Sequence, residues 1–184
     1  MQWANTERGY GWIAIGLHWL SVIAIVIMLV TGFRADFAGD AGDRAARSML
    51  MGWHISVGAV AVLLLGARIA SSWLQPRPAP IEQPRALQML ASLTHNLLLI
   101  AILVQIVSGP LAIWSGGRAI NVFDVFAIPS PFAARNEGVH EAAELMHSIG
   151  RWAIIGLCAL HIVAVIKHAI DRKGVLKRML SPAA

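Results

Sequence analysis

Four stretches of this 184-residue chain are long enough and apolar enough to cross a lipid bilayer, and only short segments connect them. A helical span needs about 20 apolar residues to cross a hydrocarbon core of about 30 Å. Charged residues make up 14% of the chain and hydrophobic residues 57%, whereas a soluble domain has roughly 25% and 45 to 50%. The sequence therefore predicts an all-α membrane protein, a four-transmembrane-helix bundle that forms one domain over residues 1–184. The predicted helices cover about 11–33, 48–74, 87–114 and 144–170.

The distribution of Lys and Arg predicts the orientation of this bundle. Nine of these residues flank the side that holds both termini, and six flank the opposite side. Because cytoplasmic segments are enriched in Lys and Arg, both termini are predicted to be cytoplasmic. The same topology accounts for the net charge of +5, so we expect no nucleic-acid partner. The first span is longer than the apolar core of a signal peptide, which is about 7 to 15 residues, and we expect it to stay in the protein.

Histidines are the most informative residues of the spans. An ionisable side chain at membrane depth is costly and indicates a functional site. A single histidine could equally well form a hydrogen bond between helices, but here every predicted span carries at least one. The seven histidines are His18, His54, His95, His140, His147, His161 and His168.

Four of the histidines are predicted to pair at two depths. His18 and His161 both lie about 10 to 15 Å inside the predicted cytoplasmic surface, whereas His54 and His147 both lie near the outer ends of their spans. Fourteen residues separate His147 from His161, which places them about 21 Å apart along nearly the same face of the fourth helix. His95 is a third histidine at the inner level.

Paired imidazoles at two separate depths suit two porphyrin irons better than one zinc ion. Zinc prefers four ligands around one point, whereas two imidazoles on opposite faces of a porphyrin complete the ligation of its iron. Cys158 is the single cysteine, and no CxxCH motif is present for covalent attachment. The spacing therefore predicts two non-covalently bound haem b groups, one above the other. Glycines that could give a porphyrin room are Gly16, Gly52, Gly58, Gly150 and Gly156.

The chain resembles the bacterial cytochrome b561 family, whose members are four-helix di-haem proteins of the inner membrane. The resemblance rests on I-G-L-H-W-L around His18, on W-H-I-S-V-G around His54, and on the series H-x13-H-x6-H that starts at His147. The segment N-V-F-D-V-F-A-I-P is a weaker match. The resemblance covers essentially the whole chain and implies a single cytochrome b561-type domain in the bacterial inner membrane.

The resemblance also implies which side chains bind iron. It assigns His18 with His161 to the inner haem and His54 with His147 to the outer haem, and it leaves His95 without iron. Some members carry another histidine three residues before that position, where this chain has Ser92.

Membership in the family implies electron transfer to the quinone pool. Members are associated with oxidising superoxide at the outer face and reducing ubiquinone. We therefore expect a superoxide:quinone oxidoreductase that has membrane lipid, quinone and superoxide as partners and needs no obligate protein partner. His168 lies about 10 Å beyond His161 toward the cytoplasm and is the candidate proton donor to reduced quinone. Arg68, fourteen residues after His54, is predicted to lie near the inner haem, where it could pair with propionates or face the headgroups.

Other residues and other functions are also compatible with the sequence. His140 is expected to be exposed at the outer rim. The outer arginines could steer superoxide, but a solvated loop face explains them better. An alternative function is that of an anchor subunit, like the cytochrome b of hydrogenases and formate dehydrogenases, and a third is a non-redox channel or structural bundle with unligated histidines. The outer arginines are Arg44, Arg47, Arg118 and Arg135.

Overall fold

Four long helices dominate the structure, a computed structural model that describes residues 1–182. All four are long and apolar enough to cross a membrane, which confirms the predicted all-α, four-helix membrane bundle. A short β-hairpin lies between the third and fourth long helices, and a short helix follows the fourth. The elements are α1 (Trp12–Asp40), α2 (Arg44–Leu74), α3 (Arg85–Ser115), β1 (Ile120–Val122), β2 (Phe126–Ile128), α4 (Glu137–Ile170) and α5 (Val175–Arg178).

All four long helices exceed their predicted spans, and α1 and α4 do so by the most, about seven residues at one end. α1 continues past Phe33 to Asp40, and α4 begins at Glu137 rather than at 144. The prediction followed the uncharged residues, but a helix ends where its backbone is capped or turned. Asn136 supplies such a cap, since its side chain accepts a hydrogen bond from the backbone N–H of Val139 at 3.2 Å. Both helices therefore continue beyond the apolar segment at the same end of the bundle.

The long helices pack as two hairpins. α1 lies along α2 and α3 lies along α4, and a shorter seam between α2 and α3 joins the two hairpins. The buried core lies halfway along the bundle, between the two depths at which histidines were predicted to pair. Many apolar side chains outside this core are exposed, as expected for surfaces in lipid. The core residues are Ala24, Ala61, Leu65, Ile69, Ala101, Ile102 and Ile154.

The two ends of the bundle differ in what covers them. At one end, here called the terminal end, the backbone N–H of Ala79 donates to the carbonyl of Glu7 at 2.9 Å, and the Trp19 indole donates to the carbonyl of Met179 at 2.7 Å. The first bond joins the α2–α3 loop to the chain start, and the second joins α1 to the segment after α4. The opposite end, here called the hairpin end, carries the α1–α2 turn and the β-hairpin.

The β-hairpin is fastened to α2 next to a predicted site residue. Its turn has positive φ angles at Phe123 and Asp124, 50° and 57°, as in turns that match the twist of a hairpin. The Ser56 hydroxyl accepts a hydrogen bond from the backbone N–H of Phe123 at 2.9 Å and donates to the carbonyl of Asn121 at 3.3 Å. Because Ser56 lies two residues after His54, the hairpin covers the bundle beside that histidine.

Candidate functional site

His54 and His147 face each other at the hairpin end. Their ring centroids are 6.3 Å apart and their ring planes are inclined at 83°. Both side chains line an open cavity of about 1500 Å³, together with Gly32 and Gly109. The structure thus brings this predicted pair together from α2 and α4.

His18 and His161 face each other in the half of the bundle nearer the terminal end. Their ring centroids are also 6.3 Å apart, with an interplanar angle of 58°. The His95 ring lies beside them, with its centroid 5.3 Å from that of His161. Three imidazoles from α1, α3 and α4 therefore meet at this level.

The distance between ring centroids shows which of these histidine pairs could hold a metal ion between them. A metal ion held between two imidazoles lies about 2 Å from each ligating nitrogen, and each ring centroid lies about 1 Å further away, so the two centroids are roughly 6 Å apart. The pairs His54–His147 and His18–His161 meet this requirement at 6.3 Å, whereas 5.3 Å for His95–His161 is too short. Within residues 1–182, no group of three or more His, Cys, Asp or Glu side chains is close enough to hold one metal ion.

A hydroxyl group contacts each hairpin-end histidine from within its own helical hairpin. Thr31 Oγ1 lies 3.1 Å from Nδ1 of His54, and Ser108 Oγ lies 3.1 Å from Nδ1 of His147. The Thr31 hydroxyl donates its proton to the carbonyl of Ile27 at 2.8 Å, so its oxygen is free to accept from the Nδ1–H group. The contact suits the tautomer that carries its proton on Nδ1, in which Nε2 of His54 has the free lone pair that a metal requires.

A glycine follows each of these hydroxyl residues and makes room for the imidazole. A Cβ atom added at Gly32 would lie 3.2 Å from Cε1 of His54, and one added at Gly109 would lie 3.2 Å from Cε1 of His147. Our sequence analysis missed all four of these hydroxyl and glycine residues. The signal was present, since a hydroxyl residue followed by glycine occurs in α1 and again in α3 at the depth of the outer histidines.

The glycines that were predicted to make room fall into two groups. Gly16, Gly52 and Gly156 have no neighbour within 4 Å of an added Cβ, so each borders open space. Gly58 instead faces the Cε atom of Met28 at 3.1 Å, and Gly150 faces the amide of Gln105 at 3.0 Å. Gly150 therefore serves helix packing, whereas Gly58 packs against Met28 and also lines the cavity next to the histidines.

An ion pair bridges α1 and α4 beside the hairpin-end pair, and our sequence analysis did not single it out. Arg151 Nη1 donates to Asp36 Oδ2 at 2.7 Å, and the guanidinium lies 4.9 Å from the centroid of the Phe33 ring. Both charged side chains line the same cavity as the histidines. Because the pair crosses the seam where the two hairpins meet least, it helps to set the width of the cavity.

His140 is not exposed at the rim, and that expectation was wrong. Its side chain is only 12% exposed, and its Nε2 atom lies 3.4 Å from Glu144. Its Nδ1 atom lies 2.9 Å from the carbonyl oxygen of Ala112 on α3. The reason is the early start of α4 at Glu137, which places this histidine on a helical face against α3 instead of in a loop.

The outer arginines are exposed, as expected for a solvated face, but most of them also border the cavity. Arg44, Arg47 and Arg118 are exposed and line its mouth. Arg135 lies outside it and pairs with Glu137. The lining of the hairpin-end cavity thus holds four arginines, including Arg151, against three carboxylates, Asp36, Asp124 and Glu144.

Two predicted site residues lie toward the terminal end. The Arg68 guanidinium is close enough to His18 and His161 to act on both electrostatically, and it has no hydrogen-bond partner within residues 1–182. The Nδ1 atom of His168 is buried and also has no hydrogen-bond partner in that range. A buried polar atom is normally satisfied by a bound molecule when the protein offers no partner.

The charged residues next to His168 pair with each other and not with its imidazole. Lys167 Nζ donates to Asp171 Oδ2 at 2.6 Å. This hydrogen bond lowers the pKa of the Asp171 carboxyl group, which lies just beyond the end of α4. This ion pair is exposed and does not involve the imidazole of His168.

A four-helix membrane bundle with histidines facing each other at two depths has the architecture of a membrane cytochrome b. A family model described as prokaryotic cytochrome b561 matches residues 9–182, and the chain belongs to this family. It is 28% identical over 193 residues to "Cytochrome b561 homolog 2" of Escherichia coli (strain K12), an alignment that covers 100% of this chain and 97% of the relative. The chain is thus a multi-pass protein of the bacterial inner membrane and a member of a haem b-binding, electron-transferring family.

The residues fit haem b as a cofactor. The two ring separations of 6.3 Å leave room for a metal ion between the imidazoles. Gly16, Gly52 and Gly156 border the open space that a flat macrocycle needs. At the hairpin end the cavity mouth offers guanidinium groups, which suit carboxylates such as propionates.

Proposed function

We propose that the chain binds two haem b groups and transfers electrons through them between superoxide and the quinone pool. His54 and His147 hold the iron at the hairpin end, and His18 and His161 hold the iron nearer the terminal end. The observation that carries this proposal is the shared 6.3 Å separation of both ring pairs. Haem b, when bound, supplies one-electron redox chemistry.

The remaining side chains position the cofactors. Thr31 and Ser108 contact Nδ1 of the hairpin-end histidines, which would leave Nε2 of each ring to hold the iron. Arg44 and Arg47 are placed to pair with the propionates at the cavity mouth, and Arg68 is placed to do so at the other level.

In this proposal, electrons enter at the hairpin end and quinone is reduced at the terminal end. This direction gives a role to the arginines of the cavity mouth and to His168. The arginines of the cavity mouth attract an anion such as superoxide. Two superoxide anions are oxidised to two O2, and their two electrons with two protons reduce one quinone to quinol. His168 delivers a proton to the quinone, a role supported by its buried and unpartnered Nδ1 atom. With both termini in the cytoplasm, those protons are taken from the cytoplasmic side.

The experiment follows ubiquinone reduction by the purified haem-loaded chain in detergent, with superoxide as the electron donor. We expect superoxide to reduce both the haem and the quinone without any added protein. His168→Gln is expected to slow quinone reduction about 100-fold, the lower end of the range typical of general acid catalysis, while haem reduction by superoxide stays unchanged. Reduction that requires a partner dehydrogenase or hydrogenase would contradict the proposal and favour an anchor subunit.

Thr31→Val is expected to weaken the hairpin-end haem without removing it. The variant leaves the Nδ1–H group of His54 without its acceptor, and loss of such an outer hydrogen bond typically lowers affinity for the bound metal about 10-fold. The imidazole also becomes a weaker electron donor, so the reduction potential of that haem should rise. Redox titration and haem release measure the two effects. Thr94→Val is the matched control, because the Thr94 hydroxyl bonds only to the carbonyl of Leu90, and an equal effect there would contradict the role of Thr31.

A further inference from the structure

A positively charged cleft of about 330 Å³ lies at the terminal end, away from the histidines. It is formed between the chain start and the segment after α4. Arg8, Lys177 and Arg178 line it, and the lining includes no Asp or Glu. The cleft is therefore suited to an anion.

The basic groups of the cleft are available for a ligand. Arg178 is oriented by a hydrogen bond from Nη2 to the carbonyl of Ala79 at 2.9 Å. Arg8 and Lys177 form no ion pair within residues 1–182; the four pairs found there involve other cations. Among the residues that the structure describes, three positive charges thus border one small space without a neutralising carboxylate.

The position and surroundings of the cleft indicate the source of the anion. The Trp19 indole donates to the carbonyl of Met179 at 2.7 Å, so the segment after α4 folds back beside the second turn of α1, at the terminal end of the bundle. Next to the basic residues, Leu176 and Leu180 are 43% and 55% exposed. Basic and apolar side chains on adjacent positions are typical of a segment that lies in the headgroup region.

We propose that this cleft binds the phosphate-bearing headgroup of an anionic phospholipid, while Leu176 and Leu180 contact its acyl chains. The headgroup phosphate pairs with Arg178, which the α2–α3 loop holds in place, and with Arg8 and Lys177 on either side. The bound lipid joins the chain start to the segment after α4. The site does not depend on the haem proposal.

The test titrates the haem-loaded full chain, in a neutral detergent, with phosphatidylglycerol and measures retained lipid by native mass spectrometry. Lys177→Gln is expected to weaken binding about fivefold, the equivalent of about 1 kcal/mol for one basic residue near an anionic lipid. Arg8→Gln combined with Lys177→Gln is expected to weaken it about 25-fold, and Lys177→Arg to retain it. Unchanged haem content and monodispersity show that each variant is folded.

Arg85→Gln is the control, because it removes the same charge at the same end but lies outside the cleft. The proposal requires this variant to bind like the wild type. An equal loss in Arg85→Gln would show a diffuse surface attraction instead of a site. Equal retention of phosphatidylcholine, or binding of inorganic phosphate with the same dependence on Lys177, would overturn the assignment to an anionic lipid.

Discussion

Replacing His147 with alanine is expected to remove one haem group and to leave the other in place. The hairpin-end iron then loses one of its two imidazoles, and the opposite ring of His54 cannot replace it, because the centroids are 6.3 Å apart. The level formed by His18 and His161 is separated from this one by the apolar core around Ile154. The ratio of haem to protein should therefore fall from two to about one, which pyridine haemochrome analysis measures directly.

His140→Ala provides the control for this substitution. His140 lies on the same helix two turns earlier and lines the same cavity, but its Nδ1 atom bonds to the carbonyl of Ala112. The variant should retain both haem groups. Loss of haem from His140→Ala with retention in His147→Ala would contradict the assignment of the hairpin-end ligands.

At the other level, His18→Ala is expected to remove the haem and His95→Ala to retain it. The His18 ring is placed at the separation that an intervening iron requires, 6.3 Å from His161, whereas the His95 ring is too close at 5.3 Å. The expected difference is one haem per chain between these two variants, measured on preparations with the same helical content. The reverse outcome would make His95 the iron ligand and His18 its neighbour.

The pairing of histidines could be predicted because it depends mainly on distance along straight helices. A rise of 1.5 Å per residue places His147 and His161 about 21 Å apart on one helix. Their partners were then found by counting from the ends of the other spans. The structure brings His54 and His18 to these two levels. The extent of α4 could not be predicted in the same way, since its first turns are polar, and this produced the error at His140.

The hydroxyl contacts were not predictable from the position of the residues alone. A threonine or serine in an apolar helix usually bonds to its own backbone, as Ser21 does with the carbonyl of Leu17 at 2.6 Å. Thr31 makes the same backbone bond but also reaches His54, and only the packing of α1 against α2 reveals it. The basic cleft is a similar case, because it depends on the segment after α4 folding back to Trp19.

Each helical hairpin holds one hairpin-end histidine through a contact within that hairpin. The contact between Thr31 and His54 lies within the α1–α2 hairpin, and the contact between Ser108 and His147 lies within the α3–α4 hairpin. The two rings then face each other across the seam between the hairpins.

The most direct test of this account is the haem content of the purified wild-type chain, expressed with sufficient iron and haem precursor. A reduced-minus-oxidised spectrum with pyridine haemochrome quantification should give two haem b groups per chain with the absorption bands of six-coordinate, low-spin iron. One haem per chain, or none in a folded preparation, would contradict the assignment of two histidine pairs as iron ligands.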